Sequence, residues 1–216
     1  MKRLELGDLL SDGFKYSTTP YSRAVVLGVL YLLSFLIIPI FLALGYVYRC
    51  IKETIDGVER LPEYRDWSRM FVDGLKLFVA YLVIVIPITL IALLIGVPIR
   101  LGAIFNPYAM MMSMLSIYAA SIIIGILLGL YLFMAIPYMI YVGQISSIFS
   151  FGEVLKRIEK IGYGNYLAIC IVTLILVWLL SLVSFLIPVI GVIFVMPIAT
   201  LLLARIQGSV FKSTIS

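Results

Sequence analysis

The sequence contains no histidine. The side chain that most often serves as a general base, and a favoured metal ligand, is therefore missing. Charge is the next scarcity: Asp, Glu, Lys and Arg make up 12% of the 216 residues, against 63% apolar. A soluble domain carries about 25% charged residues and less than about half apolar ones, so a water-facing globular core is excluded. The two cysteines, Cys50 and Cys170, lie in or beside apolar runs and imply no disulfide framework. Paired carboxylates, a nucleophile elbow, a phosphate loop and metal-ligand spacing are all missing. The chain is not expected to be an enzyme: no catalytic, cofactor-binding or metal-binding residue is assigned.

What the chain has is long apolar runs. Four intervals carry no charge: 25 residues from Ala24 to Tyr48, 23 from Leu77 to Ile99, 52 from Leu101 to Gly152 and 44 from Ile161 to Ala204. A helix needs about 20 apolar residues to cross the hydrocarbon of a bilayer. The last two intervals are long enough for more than one crossing. The runs lack the period-two alternation of a barrel, so the spans are read as helices, which satisfy their own backbone in lipid. The N-terminus has no apolar h-region or small-residue cleavage site, and no cleavable signal peptide is expected.

Polar segments punctuate these runs. Leu6, Leu9, Leu10 and Phe14 recur at helical spacing opposite Glu5, Asp8, Asp12 and Lys15, predicting an amphipathic interfacial helix over 4–16. Trp67, Met70, Phe71, Gly74, Leu75 and Phe78 predict a second, running into a span over Leu77–Pro98. Phe151, Val154, Leu155, Ile158 and Ile161 predict a third. Further spans are expected over Met112–Val142 and Tyr166–Ile187, with a turn at Pro188–Gly191 and a return over Val192–Arg205 kinked at Pro197. The pattern reads as one membrane domain over 1–216 with pseudo-repeats of about 1–57, 63–145 and 150–212. Two repeats share a local string, Asp12-Gly13-Phe14-Lys15 and Asp73-Gly74-Leu75-Lys76.

The first apolar block can be one span over Ala24–Tyr48 or a hairpin turning near Ile38-Pro39. Lysine and arginine concentrate on cytoplasmic loops. The hairpin gives six spans and puts fifteen of the sixteen Lys and Arg inside, with Arg100 alone outside; the single span puts eleven inside and five outside. The expected fold is therefore all-α: six transmembrane helices as three hairpins, with short amphipathic interfacial helices on the cytoplasmic side. The protein is expected in the cell membrane, multi-pass, with both termini cytoplasmic. The cost falls on Arg49, about ten residues past the turn and roughly 15 Å down a helix, where an arginine is expensive unless paired or wet.

The longest polar interval is Ile55–Lys76, and it carries a motif. Asp56-Gly57, Leu61-Pro62-Glu63-Tyr64-Arg65-Asp66-Trp67 and Phe71-Val72-Asp73-Gly74-Leu75-Lys76, preceded by Leu44-Gly45-Tyr46-Val47-Tyr48-Arg49, resemble an archaeal multi-pass membrane family, domain of unknown function 4013. The resemblance is strong over about residues 35–80 and implies an archaeal cell-membrane protein. It supplies no substrate, cofactor or catalytic residue.

Two candidate sites follow. Asp66, Trp67, Asp73 and Lys76 are candidate contacts for lipid or a cytoplasmic partner: Asp66 as a helix cap, Trp67 as a headgroup-layer ring, and Asp73 pairing with Lys76 or Arg69. Arg49, Glu53 and Asp56 are a candidate intramembrane polar site, or else Arg49 snorkels to the surface. The clustered Met110, Met111, Met112 and Met114 read as lipid-facing or packing side chains rather than copper ligands. Pro39, Pro87, Pro98, Pro137, Pro188 and Pro197 read as kinks or turns, and Gly125 and Gly129 as a close-packing pair. The net charge of +5 reads as topology and contact with anionic lipid rather than nucleic acid. The functional expectation is a non-enzymatic scaffold or assembly factor engaging lipid and a cytoplasmic protein, with oligomerisation open. The alternative is a small transporter, channel or lipid-translocating protein with a path past Arg49. In a chain freed of Cys50 and Cys170, a cysteine at position 59 should resist an impermeant thiol reagent until the cells are lysed. Labelling of intact cells would reduce the first block to one span.

Overall fold

The computed structural model describes residues 5–102 and 106–215; the side chains of 83, 84, 87, 88, 91 and 95–102 lie outside that description. The expectations attached to Leu4, Pro87, Pro98 and Arg100, and the middle of the Ile99–Pro107 connection, fall there. The described residues are all-helical, with no strand among them. The helices are α1 (Leu6–Thr18), α2 (Tyr21–Leu32), α3 (Ile38–Ile55), α4 (Trp67–Gly102), α5 (Pro107–Val142), α6 (Phe151–Ile161), α7 (Tyr163–Leu186) and α8 (Pro188–Lys212).

Local chemistry sets the breaks. The first apolar block is broken by a short 3-10 turn, Leu33–Leu36, and by Ile37 at φ 66, after which Pro39 opens α3. Proline is tolerated there because the first helical turn has no use for its missing N–H. Asn106 starts α5 by accepting from the N–H groups of Tyr108 and Ala109 at 3.1 and 3.2 Å. Gly143 ends it at φ 79, in the left-handed region where glycine is unstrained. Gly162 separates α6 from α7 at φ 89. In α8, Gly191–Val195 forms a π turn shortly before Pro197.

Three helices among the described residues are long and apolar enough to cross a membrane: α5, α7 and α8. They mark the chain as a membrane protein. Their most apolar windows are only 22 to 44% buried within the chain, so most of that surface is left for hydrocarbon. The predicted second amphipathic helix and the span after it form one helix, α4, of 36 residues. At 1.5 Å per residue it is about 54 Å long, more than the roughly 30 Å of hydrocarbon. Its polar first turns, Trp67 to Lys76, can therefore stand outside that layer.

The core gathers around α3 and α8. Ala43, Tyr46, Cys50 and Ile51 of α3 and Leu201, Leu202, Val210 and Phe211 of α8 are fully buried. Glycine lets the helices approach. A Cβ on Gly74 would strike the carbonyl oxygen of Phe41, one on Gly45 that of Met70, and one on Gly28 that of Ile193. Gly125 and Gly129, read as a packing pair from their spacing, meet nothing within 4 Å. A backbone carbonyl inside a helix cannot swing aside as a side chain can. Gly74→Ala should therefore lower the apparent melting temperature of the detergent-purified chain, by overpacking of about 1–3 kcal/mol, although alanine is intrinsically the better helix former. Gly125→Ala should raise it or leave it unchanged.

Candidate functional site

The polar segment between α3 and α4 is held by three guanidinium groups from three helices. Arg23 of α2 donates through Nη1 to the carbonyl of Leu61 and through Nη2 to Glu63 Oε1 at 3.2 Å. Arg49 of α3 donates to the carbonyls of Arg65 at 2.5 Å and Asp66 at 3.0 Å. Arg205 of α8 donates to the carbonyl of Val58 at 2.8 Å. A planar guanidinium with five donors can serve a carbonyl and a carboxylate at once, and each arginine here does so. Arg49 Nε lies 3.8 Å from Asp73 Oδ2, and Arg205 grips Asp12 through Nε at 2.7 Å and Nη2 at 3.3 Å.

Aromatic rings complete the attachment. The Tyr46 hydroxyl donates to the carbonyl of Pro62 at 3.0 Å, and the Tyr64 hydroxyl to that of Arg23 at 2.7 Å. The two rings stack at 4.2 Å with 4° between their planes, and Trp67 lies against Tyr64 at 5.9 Å. Burial pushes the Tyr64 phenol up, so it stays protonated as a donor. Leu61 and Pro62 are buried, whereas Gly57, Val58, Glu59, Arg60, Glu63, Arg65 and Asp66 are exposed. The segment is pinned from beneath and open above.

The structure joins the two predicted groups into one. Arg49, from the intramembrane polar group, meets Asp66 and Asp73, from the lipid- or partner-contact group, and Asp73 also receives Lys76 Nζ at 3.2 Å. Lys76 lies 5.8 Å above the Tyr48 ring. Glu53 sits in the field of Arg49 and Arg23, and Asp56 is exposed at the end of α3. Asp66, at φ 50, starts α4 with its backbone: its carbonyl accepts from Met70 N–H at 2.9 Å. No side-chain cap from it occurs among the described residues. Trp67 is 46% exposed. The four clustered methionines lie exposed on the first turns of α5. Among the described residues no three His, Cys, Asp or Glu come together as metal ligands do.

On α6, Val154 and Ile158 are buried while Glu153, Lys156, Glu159 and Lys160 are exposed. The Lys156 ammonium, 2.8 Å away, holds the Glu153 carboxyl below its usual range. Arg157 turns inward, 4.7 Å from the ring of Phe211 and 5.0 Å from that of Tyr138.

The model of a family described as a protein of unknown function (DUF4013) matches residues 32–195. That is most of the 216-residue chain. The chain belongs to the DUF4013 family. No curated protein and no solved structure matches it. The DUF4013 match spans Arg49, the polar segment and Asp73, whereas Arg23, Asp12 and Arg205 lie outside it. Sequence reasoning passed over those three. Arg23 and Arg205 each border a charge-free run, a position that reads as a membrane flank, and only the folded chain brings Arg205 and Asp12 together. The shared Asp-Gly-x-Lys string was the available signal: Gly13 packs on Leu202 and Ile206 beside Arg205, as Gly74 packs on Phe41 and Gly45 near Arg49.

Arg49→Gln removes two bonds from a charged donor, each worth about 1.5–3 kcal/mol. The expected result is a lower apparent melting temperature together with faster hydrogen exchange at Arg65–Met70. Arg69→Gln, at an exposed site on the same face, should change neither.

Proposed function

We propose that the chain is a non-enzymatic membrane scaffold that presents residues 56–69 as a rigid polar platform to a protein partner. The observation that carries this reading is the combination of a fixed backbone and free side chains. Three arginines bind the segment's carbonyls from below, while the side chains of Glu59, Arg60 and Arg69 are exposed and take no part in the clamp. A pre-ordered segment loses little entropy on docking, which favours specific association. The finer topology belongs to the same reading. Six spans form three hairpins, the interfacial helices and both termini face the cytoplasm, and the basic face of α6 meets anionic headgroups. The three pseudo-repeats are units of an amphipathic helix and a helix pair, in an archaeal cell membrane.

The transport alternative calls for a buried, paired Arg49 facing a water-filled cavity, beside the proline-broken helices. Arg49 is paired, with Asp73 and two carbonyls as partners, which meets only the first part of that condition. Against it, the runs Ala24–Tyr48, Leu77–Ile99, Leu101–Gly152 and Ile161–Ala204 carry no charged residue to line a path.

Arg60→Glu with Arg69→Glu alters the open face and leaves every clamp residue in place. A partner that co-purifies stoichiometrically with the wild type should be lost, on the order of tenfold or more for opposed charges at an interface, with no change in melting temperature. Reconstituted in vesicles, the wild type should pass no proton or potassium current above that of protein-free vesicles. A current abolished by Arg49→Leu would overturn the scaffold reading in favour of transport.

A further inference from the structure

A cavity of about 240 Å³ opens beside the polar segment, between the end of α3 and the last turns of α8. Its walls carry Arg205, Lys212, Ser209 and Ser213 from α8 and its end, with Thr54 and Gly57 opposite and Glu59 at its side. We propose that this cavity binds a phosphate group. The proposal goes beyond the platform reading and does not rest on it.

The donor inventory makes the argument. The Arg205 side chain is 9% exposed. Of its five N–H groups, two serve Asp12 and one serves the carbonyl of Val58. The remaining two have no protein acceptor among the described residues, although the side chain lines the cavity. A buried guanidinium with unused donors is costly, and an anion in the cavity would satisfy it. Lys212 adds a second cation. A Cβ on Gly57 would come within 2.8 Å of Lys212 Nζ, so glycine at this position, with φ 92, leaves room for the ammonium beside the backbone. Ser209 contributes a further hydroxyl. Thr54 and Ser213 already donate to the carbonyls of Cys50 and Val210, at 2.7 Å each. Their hydroxyls line the wall as acceptors toward a protonated phosphate oxygen.

Charge decides the class of ligand. Asp12 offsets Arg205, and Glu59 opposes Lys212, so the cavity is balanced rather than strongly basic. A diffuse anion has little reason to enter. A tetrahedral oxyanion with several acceptor atoms matches donors converging from Arg205, Lys212 and Ser209. The group could arrive on a lipid headgroup or as free phosphate, and the chemistry of recognition is the same.

The test uses the full chain purified in non-ionic detergent, with inorganic phosphate and a short-chain phosphatidate as probes and chloride at equal ionic strength as the reference. Binding is read as a rise in melting temperature and as a titrated affinity. Lys212→Gln and Ser209→Ala alter no clamp residue, and their melting temperatures without ligand should match the wild type. Lys212→Gln should weaken binding about tenfold or more, the loss expected for a charge-assisted bond, and Glu59→Gln should tighten it. Binding of both probes identifies a site for phosphate in either form; binding of phosphatidate alone identifies a lipid headgroup site. The proposal fails if neither probe binds or if Lys212→Gln and Ser209→Ala bind as the wild type does. It also fails if Glu59→Gln weakens binding, since the cavity would then take a cation.

Discussion

The bond from an arginine guanidinium to a backbone carbonyl is the interaction on which this structure turns. Arg23, Arg49 and Arg205 come from three different helices, and each places a donor on the same short polar segment. An irregular segment between apolar helices leaves carbonyls without partners, and each one kept from water carries a penalty. Water can settle that penalty at a surface. Here the protein settles it with cations, and in doing so ties α2, α3 and α8 to one another through the segment. Each arginine is in turn matched by a carboxylate: Glu63, Asp73 and Asp12. Removing a guanidinium would therefore loosen a loop, unpair an acid and separate two helices together.

Close packing makes those bonds possible. Arg49 can reach Asp73 because Gly45 and Gly74 bring α3 and α4 into backbone contact. Gly13 lets α1 settle on α8 beside the Asp12–Arg205 pair in the same way. Between apolar helices in lipid, hydrophobic burial gives little drive, and small residues with a few polar contacts take over. Each Asp-Gly pair supplies both: the glycine sets the distance and the adjacent aspartate takes the charge.

Much of this was legible in the sequence, for identifiable reasons. The apolar runs revealed the helices because hydrocarbon thickness sets the length of apolar chain a membrane helix needs. Phe151–Ile161 matched α6 to the residue, since Val154 and Ile158 recur at the helical period between two glycines. The break near Pro39 was readable from proline chemistry. Gly125 and Gly129 misled because spacing alone does not say which face of a helix meets a neighbour. Asp66 was read as a side-chain cap from its residue type, whereas its backbone, at φ 50, begins α4 through its carbonyl. Arg205 and Asp12 were illegible for a different reason. They lie 193 positions apart, and local pattern carries no information about pairs at that distance. Only the repeated Asp-Gly string pointed that way.

The cost assigned to Arg49 also has a physical resolution. Counted from Ile38, the start of α3, this arginine is about 16 Å along the helix; in the proposed six-span topology a charge at that depth in hydrocarbon is expensive. Snorkelling would extend the side chain toward water. The chain does the reverse and brings polar groups to the arginine: the carbonyls of Arg65 and Asp66 and the carboxylate of Asp73 gather around it. The polar segment is thereby drawn down against α3, which is why Leu61 and Pro62 are buried while residues on either side stay exposed. The position of Arg49 on α3 and the conformation of the polar segment against it are thus a single constraint. A change in either the length of α3 or the register of α4 would have to be answered by the other.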